Sequence, residues 1–247
     1  MLNSLSTSVV SFLLLPGIHP PFRRAIFHPG SCIEMERVSP CLVGPRQDSE
    51  QSEDVPLPEY LTREPHMHGI PAVLYLDNGG WLIGFNWGEF EGGLWSANQD
   101  GSETKNLLPS VDVHALVPVP GGVVVLAGVA QATLDEGSAF FVPVSEWDKA
   151  KAFPILDLHS SPEAYIQKSP DTILVATNKA ILRINASGVP QTLFELPNGS
   201  LFPRSVLLAD RTIYVGMRGY ILRLLPQSTG YKSEWLSPPE GRRANLD

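Results

Sequence analysis

The sequence predicts an all-β protein assembled from four-stranded antiparallel meanders, repeated about four times along the chain. Three observations carry this expectation. Residues 172–184 (TILVATNKAILRI) and 212–224 (TIYVGMRGYILRL) align without a gap. Each reads as an apolar strand, a small residue, a tight polar turn and a second apolar strand, rich in the β-branched and aromatic residues that favour hairpins. The 23 prolines and 21 glycines among 247 residues suit a turn-dense chain. No long stretch spaces its apolar residues at the 3.6-residue helical period, so helix should be scarce.

Taken in order, the first unit places strands at 72–76, 81–84, 93–96 and 105–108, with turns at 77–80 (DNGG) and 99–101 (QDG). The second places them at 113–117, 123–127, 138–142 and 153–156, with a turn at 118–122. The third flanks its hairpin with strands at 163–168 and 191–196, and the fourth with strands at 205–209 and 232–236. Asn178-Lys179 and Arg218-Gly219 close the two hairpins, and Gly219 can supply the positive φ that a primed turn demands. Gly84, Ala127, Ala176 and Gly216 mark one shared small position. A period of about 40 to 50 residues with four strands per unit is the signature of β-propeller blades. The expected architecture is therefore a β-propeller or propeller-like array over residues 64–237, with a β-sandwich as the competing arrangement of short strands.

Residues 1–63 read as a poorly structured extension, and 238–247 as a tail. The stretch 47–58 carries Asp48, Glu50, Glu53 and Asp54 among Ser, Gln and Pro, too few apolar groups to offset the entropy of ordering. The apolar run 9–15 (VVSFLLL) has signal-peptide length, but no Lys or Arg precedes it, Pro16 interrupts it, and Arg23 and Arg24 follow it. It is too short to span a bilayer. The compartment stays open, the cytoplasm slightly favoured and export the alternative. Cys32 and Cys41, the two cysteines, fit a disulfide in an exported protein or free thiols in a cytoplasmic one. A net charge of −8 without a basic stripe excludes nucleic acid as the main partner.

Two groups of residues are candidates for chemistry. The second-to-third strand connections at 86–93 and 128–137 are longer than those of the last two units, and in a propeller both would stand on one end. Trp87, Glu89, Phe90 and Glu91 on the first, with Asp135 and Glu136 on the second, suit a cationic or sugar-like ligand or a protein contact. In the competing arrangement Trp87 and Phe90 fold back over the edge of their own blade. His68, His114, His159 and Arg204 recur at near-equal intervals close to the start of each innermost strand. Converging on a channel, the three imidazoles could hold a divalent metal, or one could act as a general base. Their offsets from the shared small position differ, however, which favours solvated loop histidines. There is no G-x-S-x-G elbow and no phosphate-binding glycine loop. The expected cofactor is none, with a divalent metal as the alternative.

The four-strand period and the turns at 77–80 and 99–101 give residues 68–237 a resemblance to the broad β-propeller superfamily, of the kind seen in NHL, quinoprotein-like and streptogramin-lyase-like proteins. There is no Trp-Asp signature in the WD-repeat sense and there are no paired kelch glycines, so no catalytic residue carries over from the resemblance. It implies either a small closed four-bladed ring or part of a larger one, and an incomplete ring would self-associate through its open side. The expected function is that of a binding protein holding a protein or small ligand on one loop face. A metal-assisted lyase or hydrolase at the channel is the alternative.

Overall fold

The computed structural model describes residues 72–76, 79–86, 92–131, 133–145, 147–185, 189–197 and 201–237. The expectations for 1–63, for the tail, and for Cys32 and Cys41 lie outside the described residues.

Sixteen strands are described, in four separate sheets. Blade 1 comprises β1 (Ala72–Tyr75), β2 (Trp81–Phe85), β3 (Gly93–Ala97) and β4 (Lys105–Pro109); blade 2 comprises β5 (Val113–Val119), β6 (Gly122–Gln131), β7 (Leu134–Pro143) and β8 (Phe153–Asp157). Blade 3 follows with β9 (Pro162–Ser169), β10 (Thr172–Thr177), β11 (Ala180–Asn185) and β12 (Pro190–Glu195). Blade 4 consists of β13 (Ser205–Ala209), β14 (Thr212–Met217), β15 (Tyr220–Pro226) and β16 (Tyr231–Leu236). Within every blade the strands lie in chain order and pair antiparallel. The molecule is thus an all-β, propeller-like array of four meander blades. A single turn of 3-10 helix, Trp147–Lys149, interrupts the path from β7 to β8.

The continuous apolar runs of the middle strands follow from burial on both faces. In β6, Val124 and Leu126 pack with Ile173 and Val175 of blade 3, while Val123 and Val125 pack with Leu82 and Leu94 of blade 1. In β10, Ile173 and Val175 face blade 2, and Leu174 and Ala176 join Val206, Ile213, Val215 and Leu222 of blade 4. A sheet covered on one face would alternate apolar with polar residues; these blades are covered on two. Each such valine, leucine or isoleucine, fully buried, contributes roughly 1.5–3 kcal/mol. The small position pairs with the inner strand in each blade: Gly84 with Ala72, Ala127 with Val113, Ala176 with Ala164 and Gly216 with Ser205. A Cβ on Gly84 would meet Val113 of the next blade at 2.3 Å.

One expectation is corrected. Residues 128–137 are not a loop: β6 and β7 keep pairing from Gly128↔Gly137 out to Gln131↔Leu134. The two glycines sit opposite each other because the chain entering blade 3 lies across them. A Cβ on Gly137 would stand 2.1 Å from the Ser160 carbonyl oxygen, and one on Gly128 2.8 Å from the Pro162 ring. Gly219 takes the positive φ expected of it, at 82°; a second turn, Asp210-Arg211, has positive φ at both central residues, 46° and 67°, where no glycine announces it.

Three junctions join the blades through their inner strands, β1 against β5, β5 against β9 and β9 against β13. Among the described residues no contact of that extent joins blade 1 to blade 4. Each link between blades turns on one left-handed residue placed three before the next inner strand: Ser110 (φ 57°), His159 (58°) and Phe202 (44°).

Candidate functional site

In a four-stranded meander the turn between the second and third strands and the link to the next blade fall at the same end. At that end a chain of polar groups crosses two blade junctions. Its centre is Asp135, on the extension of β7. The carboxylate accepts the Ser160 hydroxyl at 2.8 and 2.9 Å and the Ser161 N–H at 2.9 Å. Both serines are fully buried in the link between blades 2 and 3. Lys179, at the β10–β11 turn, reaches back to Asp135 Oδ2 at 3.4 Å and donates to the His159 carbonyl at 2.7 Å. The turn itself is shaped by Thr177, whose hydroxyl accepts the Lys179 and Ala180 N–H groups. Blade 3 thereby holds the projecting hairpin of blade 2 in place. That hairpin has ten residues in each strand, against six in each of β10 and β11.

His114, the second residue of β5, closes the other side. Its Nε2 lies 2.8 Å from the Gly128 carbonyl, 3.3 Å from Ser161 Oγ and 3.4 Å from the Asn86 amide nitrogen. A carbonyl only accepts, so Nε2 carries the proton, and it cannot also take a proton from Ser161. The pair is a structural contact rather than a base and its nucleophile. Toward blade 4, Asn178 donates to Glu163 Oε1 at 3.3 Å, and Arg204 stands 3.7 Å from Glu163 Oε2. Asn178 is 4% exposed, and its Oδ1 is buried with no hydrogen-bond partner.

The residues singled out from the sequence fall in different places. Asp135 is half-buried at the centre of this network, and Glu136 is exposed beside it. His114 belongs to the network; His159 is exposed on the link and pairs with Asp157 at 3.0 Å. Arg204 directly precedes β13, so the near-equal intervals among His114, His159 and Arg204 do not reflect equivalent positions. Trp87, Glu89, Phe90, Glu91 and His68 lie outside the described residues. Among the described residues no three His, Cys, Asp or Glu side chains gather as a metal site would require. Ser160, Ser161, Glu163 and Lys179 were not anticipated. The signal available for Lys179 was the departure between repeats, since it aligns with the turn residue Gly219.

Fold and site together define a propeller-like repeat protein with a polar network at one end. No family model matches the chain, and no curated protein matches it. Solved structures similar to it include virginiamycin B lyase from Staphylococcus aureus, 18% identical over 71% of this chain and 58% of that one, with a TM-score of 0.46. A catalytically inactive variant of that lyase with quinupristin is 17% identical over 71% and 57% of the two chains, with a TM-score of 0.46. A protein of unknown function from Bacteroides thetaiotaomicron is 14% identical over 64% and 40%, with a TM-score of 0.43. The chain spans between 40% and 58% of the length of these three structures. Among the described residues no helix is long and apolar enough to cross a membrane.

Proposed function

We propose that the chain is a non-catalytic binding protein that takes a cationic or sugar-like ligand, or a protein partner, at the link end of the array. The observation that carries this reading is the clamped β6–β7 hairpin. It projects beyond its neighbours and is fixed through Asp135 by Ser160, Ser161 and Lys179. A surface held in place before its ligand arrives loses little entropy on binding. Exposed Glu136 supplies negative charge there, and Trp87, Glu89, Phe90 and Glu91 are the residues expected to complete the surface from blade 1. The His114–Ser161 contact at this end does not favour a hydrolase, because His114 Nε2 donates to the Gly128 carbonyl and is not free to take a proton from Ser161.

The test is 15N chemical-shift mapping of the full chain with an oligo-lysine peptide and a panel of monosaccharides. Expected are shifts concentrated at 128–137 and 159–163. The double variant Trp87→Ala with Glu136→Ala should lose them at unchanged Tm. Shifts that survive in this variant, or conversion of a probe to product, would overturn the reading.

A further inference from the structure

The outer face of blade 4 is built to the pattern of a face that is covered elsewhere in the same molecule. In the alignment of 172–184 with 212–224, Leu174, Ala176 and Ile181 correspond to Tyr214, Gly216 and Ile221. The blade 3 residues are 1%, 0% and 0% exposed, packed with the core residues of blade 4. The blade 4 residues are only half-buried and join none of the core clusters. Strand register places Leu207, Tyr214, Arg223 and Glu234 in one row across this face, with Ile221 and Leu236 in the next. All six are partly open to solvent. Arg223 lies over the Tyr214 ring, 5.9 Å from its centroid, and 3.4 Å from Glu234, which also pairs with Lys232 at 3.1 Å.

We propose that this face is an interface between two copies of the chain, joined about a two-fold axis. The opposite outer face of the array, on blade 1, is closed: Trp81, Ile83, Phe85 and Ala97 are all buried. Copies therefore cannot stack head to tail, and the open face meets its own equivalent, the arrangement that ends in a closed dimer. The charges suit such self-pairing. Arg223 and Glu234 occupy adjacent strands in one row, so a two-fold axis passing between them brings Arg223 over Glu234 of the partner subunit. Around them Leu207, Tyr214, Ile221 and Leu236 supply apolar area of the kind that blade 3 buries against blade 4.

Sedimentation velocity of the full chain over a concentration series tests this. Wild type is expected to dimerise. Ile221→Asp should remain monomeric with an unchanged circular dichroism spectrum. Arg223→Glu and Glu234→Arg, each alone, should dissociate about tenfold more readily or worse, since a two-fold then opposes like charges. Mixing these two variants should restore a heterodimer, because each copy then offers the other the complementary charge. A wild type that stays monomeric at every concentration would overturn the proposal. So would single variants that dimerise as wild type does, or a mixture that fails to pair while both variants are folded.

Discussion

Arg211 shows what one backbone angle costs. It holds φ at 67° in the β13–β14 turn with its side chain exposed. A left-handed conformation costs an L-residue roughly 1–2 kcal/mol, and glycine avoids that penalty while giving back part of it as unfolded-chain entropy. Arg211→Gly should therefore raise the unfolding free energy by about 0.5 kcal/mol in urea titrations, with the slope unchanged. The matching turn of blade 3, Pro170-Asp171, needs no positive φ. There the Ser169 and Thr172 hydroxyls bond Asp171 at 2.7 and 3.1 Å, and these bonds hold its carboxyl below the usual range. Glycine made Gly219 legible as a turn residue. Nothing in the residue types at 210 and 211 distinguishes a mirror-image turn from an ordinary one, so that geometry could be found only in the structure.

Among the elements, the β6–β7 hairpin departs furthest from what its residues suggested. Glycines at 128 and 137 read as strand ends, because glycine weakens a strand interior. They serve instead as a flat bed for the link that crosses them, and one sequence signal covers both situations. Asp135 was legible as a site candidate from its place in a long connection. Its partners Ser160 and Ser161 were not, since two serines before a proline look like any loop. Gly137→Ala would set a methyl group 2.1 Å from the Ser160 carbonyl oxygen, and backbone must move to admit it. The expected cost is about 1–3 kcal/mol in chemical denaturation. Hydrogen exchange should also quicken at 128–137 and 158–161, as the clamp loses its seat. An equal exchange rate in variant and wild type would show that the link is not seated on the glycines.

At the scale of the whole molecule the blades were legible because their period is carried by many residues at once. The alternation of β10 between blade 2 and blade 4 shows why: each residue from Ile173 to Ala176 is selected by one junction or the other. The open outer face of blade 4 was not legible, since half-exposed Tyr214 and Ile221 look in sequence like the covered Leu174 and Ile181 they match. In a chain of blades each touches only its neighbours, so a cavity at one junction acts on that junction first. Leu174→Ala, at the junction of blades 3 and 4, should cost about 2–5 kcal/mol. Hydrogen exchange is expected to accelerate in β13–β16 more than in β1–β4, and a uniform increase would mean that the array unfolds as one unit.

Ser110, His159 and Phe202 give the three links a common hinge, always the same distance ahead of the next inner strand. Every blade after the first therefore enters the array from the same bend, whatever side chain happens to occupy it. The bends are thus seams at which whole blades can be added or removed. Splicing at the bend would add or remove one junction and leave the others as they were, so the hinge residues set the grain along which such a protein can change its size.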